Sequence, residues 1–187
     1  MTPTSNPEIA DLHRDADAPL TGLLESLPAG AWDAPTPCAG WTAHDVVDHM
    51  VNAQRSFLSG HGHDLGPAPD LSVDPAAGWK EHTGRVAALL ADPAVTAQAF
   101  EGHFGPTTVG EAFGQFYVFD MVAHRWDLAR AAGCDERFTP AELDTMETAI
   151  AGWGDALYME GICEAGVEAP AGADRQTRLL ATLGRTA

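Results

Sequence analysis

Basic residues are scarce in this 187-residue sequence: one lysine and nine arginines face 27 acidic residues, for a formal net charge of −17. A surface this negative repels phosphate backbones and anionic lipid headgroups, so we expect neither nucleic acid nor a membrane as a partner. No apolar run approaches the roughly 18 residues that span a bilayer. The first residues also lack the basic and apolar regions of a signal peptide. With 45% hydrophobic residues, the composition predicts a globular cytoplasmic protein in which residues 1–187 form one domain.

Cysteine is also rare. The three cysteines, Cys38, Cys134 and Cys163, are widely spaced and include no C-x-x-C pair. This pattern argues against a disulfide framework and against a thiolate zinc site. We expect reduced, mostly buried thiols.

Proline, glycine and capping residues divide the chain into helices. A hydroxyl residue precedes an acid by three positions, the signature of a capping box, at Thr42–Asp45, Thr108–Glu111 and Thr139–Glu142. The predicted helices cover Pro7–Leu27, residues 42–59 before Gly60, Pro75–Leu90 after Asp74, Val109–Ala132, Pro140–Glu160 before Gly161, and Arg175–Leu183 after Asp174. Only Val95–Phe104 has the pattern of a strand. The fold prediction is an all-α, antiparallel four-helix bundle with long connecting loops and a short C-terminal helix, in which the linker over residues 28–40 permits a non-sequential helix order.

An aspartate and a histidine interrupt the apolar stripe of the predicted helix over residues 109–132. Asp120 and His124 are four residues apart, a spacing that places their Cβ atoms about 6 Å apart on one helix face. One carboxylate oxygen and one imidazole nitrogen can then meet at a single ion. From this pair alone, a buried Asp–His hydrogen bond is the simpler interpretation, because a buried ionisable group needs only a partner.

A second histidine changes this interpretation. His49 lies on the inward stripe of another helix, next to Val46 and Met50. Two histidines and one carboxylate are the donor set of catalytic zinc sites that keep a position open. The same set suits non-haem Fe(II), and Ni(II) is a further alternative. We therefore predict that His49, Asp120 and His124 bind a divalent metal, with zinc preferred.

Two stretches carry a resemblance to a known family. Residues Pro35–His49, which read PTPCAGWTAHDVVDH, resemble the opening motif of the DinB-like metal-binding superfamily. Residues Asp120–Gly133, which read DMVAHRWDLARAAG, resemble its second motif. Within the superfamily, the sequence is most similar to an actinobacterial single-domain subgroup related to the metal-binding domain of mycothiol-dependent maleylpyruvate isomerase. The closing residues Arg178–Arg185 look like the C-terminal signature of that subgroup.

The resemblance implies a DinB-like bundle with His49, Asp120 and His124 as metal ligands, and it makes mycothiol a candidate co-substrate. The isomerase has glutamate where this chain has Asp120, a difference of one methylene in the reach of the carboxylate. The isomerase also carries an extra C-terminal domain that helps bind thiol and substrate. Only 54 residues follow Gly133 here.

Three polar neighbours are candidates for supporting roles. Asp127 can accept from the second ring nitrogen of His124 and fix its tautomer; a surface ion pair with a neighbouring arginine is the alternative. Asp45 lies one turn before His49 and can orient it, although capping already explains this residue. Arg125, next to His124, is a candidate anchor for an anionic cofactor or substrate.

These residues lead to three functional hypotheses. The first is a metal-dependent thiol transferase or thiol-assisted isomerase that acts on a small molecule with a low-molecular-weight thiol. The second is a non-catalytic metal-binding bundle, with a homodimer as one form of assembly. The third is a metal-dependent hydrolase, which requires the same three ligands. An open pocket beside the metal favours an enzyme, whereas a closed four-ligand shell favours a structural site.

Overall fold

A computed structural model describes residues 6–159, 162–163 and 165–186. The α-helices are α1 (Asn6–Ser26), α2 (Ala43–Gly60), α3 (Pro75–Leu90), α4 (Pro93–Thr96), α5 (Val109–Ala112), α6 (Phe119–Ala131), α7 (Pro140–Trp153) and α8 (Arg175–Thr182). Two strands, β1 (Ala99–Gly102) and β2 (Gly105–Thr108), form an antiparallel hairpin. The structure is therefore all-α apart from this hairpin.

The predicted capping residues begin the helices as expected. Thr42, Thr108 and Thr139 each accept from the backbone N–H three positions later, and the acid at that position accepts from the cap backbone in return. Asp74 caps α3 and Asp174 caps α8. Each bond satisfies an N–H that a helix start otherwise leaves without a partner. The predicted starts of α2, α3, α5, α7 and α8 are confirmed.

Four helices, α1, α2, α3 and α6, form the bundle. α1 lies against α3 and α6, and α2 lies against the same two helices. α1 and α2 are consecutive in the chain but diagonal in the bundle, so the helix order is non-sequential. Large apolar side chains close the core, among them Leu20, Met50, Trp79 and Leu128. No helix in the described ranges is both long and apolar enough to cross a bilayer.

The predicted helix over residues 109–132 contains one irregularity. Residues Phe113–Val118 form a π-helical turn between α5 and α6. Such turns are rare and occur often near functional sites. Asp120 and His124 follow it on regular α-helix, so their four-residue spacing still places them on one face.

The predicted strand has the wrong bounds. The Val95–Phe104 strand begins later, at Ala99, because Pro93–Thr96 starts a helical turn capped by Asp92. Its partner strand, Gly105–Thr108, has no apolar alternation and was not predicted.

The helix predicted over Pro140–Glu160 ends at Trp153. Gly154, with φ of +52°, allows the chain to leave the α-helix there, and a 3₁₀ segment follows over Gly154–Tyr158. Gly161, the predicted stop, lies outside the described residues.

A buried histidine links two bundle helices. His82 of α3 is fully buried, and its Nε2–H donates to Gln54 Oε1 of α2 over 2.9 Å. Burial lowers the pKa of His82 to about 3, with smaller contributions from nearby cationic groups, of which Arg55 is the largest. The imidazole is therefore neutral at physiological pH.

Acidification should weaken the fold through His82. The unfolded chain protonates this group near pH 6.5, whereas the folded chain does so only near pH 3. Because the unfolded state binds more protons between these values, stability falls as pH falls, by about 2 kcal/mol between pH 7.5 and pH 5 from this group. Urea unfolding of the wild type and of His82→Gln at both pH values checks this. The variant should lose less stability on acidification; an equal loss would contradict the assignment.

Candidate metal centre

The three predicted ligands come from two neighbouring helices. His49 lies in the middle of α2, and Asp120 and His124 lie one turn apart on α6. The capping box at Thr42 determines where α2 begins, and the packing of α2 against α6 brings His49 to the other two residues. The structure thus brings His49, Asp120 and His124 together, and we call these three residues the triad.

One carboxylate lies between two imidazoles. His49 Nε2 is 3.3 Å from Asp120 Oδ2, and His124 Nε2 is 3.2 Å from Asp120 Oδ1. The two imidazole rings have centroids 5.4 Å apart and meet nearly at right angles, at 77°. One donor atom from each of the three residues lies within 4.8 Å of the other two. Two imidazole nitrogens and one carboxylate oxygen therefore face the same point.

The electrostatics of this point favour a positive charge. Burial opposes ionisation of Asp120, but the charges and hydrogen bonds of His124 and His49 outweigh it and hold the carboxyl pKa well below its usual value. Burial likewise opposes protonation of His124, yet Asp120 and Asp127 raise the pKa of its imidazole well above 6.5. The side chain of His124 is 6% exposed, whereas those of His49 and Asp120 are 36% and 31% exposed. The centre is thus buried on one side and open on the other.

Behind His124 lies a second carboxylate. Asp127 is fully buried, and the Nδ1–H of His124 donates to its Oδ2 over 2.9 Å. Since Nδ1 carries this proton, Nε2 of a neutral His124 directs its lone pair toward the point that His49 and Asp120 also face. Burial opposes ionisation of Asp127, but hydrogen bonds from His124 and Arg185 hold its pKa at about 2.

Arg185, close to the end of the chain, holds Asp127 in place. Its Nε donates to Asp127 Oδ1 over 2.8 Å and its Nη2 donates to Oδ2 over 2.6 Å. A third bond from Nη1 to Leu183 O fixes the guanidinium. This bidentate geometry is the strong form of an arginine–carboxylate pair. Arg185, Asp127 and His124 therefore form one chain of charge-assisted hydrogen bonds behind the triad.

Cys38 joins the same chain. Its thiol donates to Asp127 Oδ2 over 3.2 Å and lies 3.9 Å from His124 Nδ1. Cys38, His124 and Asp127 also form a set of three metal-compatible donors. The Arg185 guanidinium lies within 3.4 Å of Cys38 Sγ and bonds Asp127, so a positive group already occupies this side. The His49, Asp120 and His124 set is the better cation site.

A cavity of about 350 Å³ opens beside the triad. Trp41 forms part of its wall and contacts the His49 ring, with centroids 4.8 Å apart. The wall also includes, besides the triad, Pro37, Cys38, Ala39, Phe119, Ala123, Ile162, Cys163, Ala165, Leu183, Gly184 and Arg185. This space accommodates a small molecule next to the ligand atoms.

The donor set fits a divalent cation. Two imidazoles and a carboxylate match the catalytic zinc type, and Fe(II) and Ni(II) accept the same donors. Among the residues that the structure describes, no fourth His, Cys, Asp or Glu donor converges with the three. An ion held by His49, Asp120 and His124 would therefore have room for a further ligand from the cavity.

Of the two aspartates predicted to support the ligands, only Asp127 contacts one of them. Asp127 contacts His124 as described, and it pairs with Arg185 inside the protein instead of with a surface arginine. Asp45 accepts from the backbone and hydroxyl of Thr42, which is its capping role, and no hydrogen bond within the described residues joins it to His49.

Arg125 is not part of the cavity wall. Its guanidinium is 2% exposed and bonds Glu136 over 2.8 Å and Glu142 over 2.7 Å, which connects α6 to the start of α7. The role suggested for Arg125 from its sequence position is corrected: the ion pairs turn the guanidinium away from the site.

Sequence reasoning missed Cys38, Cys163 and Arg185 as neighbours of the site. Cys38 lies inside the Pro35–His49 motif and Arg185 inside the Arg178–Arg185 motif, and these two motifs were the available signals. All three cysteines are free thiols in the structure. The prediction that they are mostly buried is wrong, since Cys134 is exposed and Cys38 and Cys163 are only partly buried. Burial raises the pKa of Cys163, which favours its neutral thiol.

The fold and donor set define a helical-bundle protein with a candidate metal centre between two helices. Residues 13–129 match the family described as the mycothiol maleylpyruvate isomerase N-terminal domain. The match covers more than half of the chain and includes all three triad residues. The chain belongs to this family, which confirms the resemblance in its sequence motifs.

Two similar curated proteins come from Mycobacterium tuberculosis strain H37Rv. The uncharacterized protein Rv0738 is 30% identical over 130 residues, which are 65% of this chain and 65% of that protein. The uncharacterized protein Rv0036c is 29% identical over 150 residues, 68% of this chain and 57% of that protein. The chain thus spans just under two thirds of the first relative and less of the second. No solved structure matches the chain.

We predict that the protein binds one divalent ion per chain at the triad. Protein purified without an affinity tag and equilibrated with zinc should hold about one equivalent, measured by elemental analysis. His124→Ala should lose this ion because two donors without the third bind weakly. His103→Ala, a change to an exposed histidine in the hairpin turn, is the matched control and should keep it. Retention of a full equivalent by His124→Ala would refute the site.

Asp127→Asn should weaken zinc binding by about 10- to 100-fold, since an amide at this position no longer fixes the His124 tautomer. Competition with a zinc-sensitive dye measures the affinity, and circular dichroism checks that the variant is folded. Wild-type affinity in the folded variant would show that Asp127 has no positioning role.

Proposed function

We propose that this protein is a metal-dependent enzyme that uses a low-molecular-weight thiol, either as a thiol transferase or as a thiol-assisted isomerase. The observation that carries the proposal is the convergence of His49, Asp120 and His124 at the wall of a 350 Å³ cavity. A purely structural metal site has no need of such a space. The family supports the thiol, because its description names a mycothiol-dependent isomerase.

In this proposal the triad holds the ion and the cavity holds the reactants. A divalent ion supplies a Lewis acid that favours the thiolate form of a thiol and polarises a carbonyl group. Asp127 keeps the Nε2 lone pair of His124 available, and Arg185 keeps Asp127 ionised in the protein interior. These hydrogen bonds hold the His124 ring in one orientation before a reactant binds, so the ring need not reorient during the reaction.

The cavity wall suits a substrate with both apolar and polar parts. Trp41 and Phe119 contribute aromatic surface, while Cys38, Cys163 and Arg185 contribute polar groups. The indole of Trp41 contacts the ring of His49, so a reactant in the cavity lies next to a ligand residue. We propose a small electrophile as the substrate class, zinc as the metal and the cytoplasm as the compartment.

A metal-dependent hydrolase requires the same three ligands, and water in place of the thiol. The cavity beside the three donors favours either enzyme over a non-catalytic metal-binding bundle. The thiol-dependent reaction is preferred because of the family to which the chain belongs.

The experiment compares the zinc form of the wild type, His49→Ala and His63→Ala, a control at a histidine that lines neither cavity. Each protein is incubated with mycothiol and either maleylpyruvate or a haloarene acceptor, and product is followed by chromatography. We expect thiol-dependent turnover in the wild type and in His63→Ala, and a loss of at least about 100-fold in His49→Ala, because a transition-state interaction is removed.

A parallel reaction without thiol distinguishes the alternative. Turnover of an ester or amide substrate without thiol, lost in His49→Ala, would favour the hydrolase. Equal rates in wild type and His49→Ala with every substrate would remove both enzymatic assignments.

A further inference from the structure

A second, smaller pocket lies close to the cavity and is almost entirely apolar. Three aromatic rings follow one another along it: Phe104 and Phe116 have centroids 6.3 Å apart at 20°, and Phe116 and Trp153 have centroids 5.6 Å apart at 10°. The rest of its wall consists of His103, Ala156, Leu157, Met159 and Ile162. We call this space the aromatic pocket.

The aromatic pocket exposes side chains that a folded protein normally buries. Phe104 is 52% exposed, Met159 is 47% exposed and Ile162 is 58% exposed. Exposed apolar groups that lie together mark a binding surface more often than isolated ones do. Phe116 is 37% exposed and Trp153 only 8%, so Trp153 forms the buried floor of the pocket and the other side is open.

The aromatic pocket shares a wall with the metal cavity. Ile162 contributes to both spaces. Phe119 contributes to the metal cavity, and its ring contacts Trp153 of the aromatic pocket edge-on, with centroids 4.7 Å apart at 69°. Since Phe119 directly precedes Asp120, the shared wall lies next to a triad residue.

The size of the aromatic pocket suits part of a small molecule. Its volume is about 130 Å³, close to the roughly 150 Å³ of an apolar cavity that binds benzene. A stable contact with a second protein copy requires about 800 Å² of surface on each partner. A concave space for a single ring or a short alkyl chain is a poor basis for such a contact.

We propose that the aromatic pocket binds the apolar tail of the substrate, an aromatic ring or alkyl chain, while the reactive head lies at the triad. This inference rests on the proposed function and narrows its substrate class to electrophiles with a hydrophobic tail. Ile162 lines both spaces and Phe119 contacts Trp153 from the side of the metal cavity, so the two spaces are direct neighbours.

The test uses hydroxamic acids, whose head group binds zinc and whose tail can be lengthened. Calorimetry on the zinc form of the full chain compares acetohydroxamic, hexanohydroxamic, octanohydroxamic and phenylbutyrohydroxamic acids. Affinity should rise about three- to fourfold for each added methylene until the pocket is filled, which is the effect of burying one methylene.

Two variants of the aromatic pocket test whether the tail of the hydroxamic acid binds there. Phe116→Ala and Phe104→Ala should each weaken binding of octanohydroxamic acid by about tenfold and leave acetohydroxamic acid unchanged. Leu12→Ala, which truncates a 43% exposed side chain on α1, is the matched control and should change neither. Because Phe104 lies in an exposed turn, its variant keeps the test decisive if Phe116→Ala misfolds.

Failure of this inference is separable from failure of the metal site. If acetohydroxamic acid does not bind the zinc form, the proposed function is refuted and the inference with it. If it binds but tail length and both phenylalanine variants have no effect, only the inference is overturned. Light scattering that shows a wild-type dimer and monomeric phenylalanine variants would also overturn it, because a second copy would then cover the pocket.

Discussion

The candidate metal centre and the contact between α2 and α6 depend on one carboxylate held between two imidazoles from different helices. Asp120 lies 3.3 Å from His49 and 3.2 Å from His124, in a place where an unpaired charge is costly. The bundle must therefore keep α2 and α6 in contact at this level. The capping box fixes the start of α2, and the four-residue spacing on α6 places Asp120 and His124 on one face. The Arg185–Asp127 pair holds His124 from behind.

The helix starts and the three candidate ligands could be predicted from the sequence, because they depend on interactions between residues three or four positions apart. The capping boxes determine helix starts through bonds only three residues apart, and the four-residue spacing of Asp120 and His124 determines a shared face. His49 required one further step, the inference that its inward stripe meets that face. The hairpin partner strand, the π-helical turn and the end of α7 were missed because each depends on tertiary packing or on a backbone conformation such as that of Gly154.

The surroundings of the site were harder to predict than its ligands. Arg185 reaches Asp127 across 58 positions of the sequence and Cys38 reaches it across 89, and no spacing rule connects such residues. The family match ends at residue 129, whereas Ile162, Cys163 and Arg185 of the cavity wall lie beyond it. The three candidate ligands therefore lie within the shared family region, whereas part of the cavity wall comes from residues beyond it.

X-ray absorption at the zinc edge tests the central claim most directly, because it reports the atoms bound to the ion. The account predicts a first shell of nitrogen and oxygen at about 2.0–2.2 Å with the multiple scattering of two imidazoles and no sulfur. A sulfur shell at about 2.3 Å would place the ion at Cys38 instead. That result would contradict the assignment of His49, Asp120 and His124 as the metal centre.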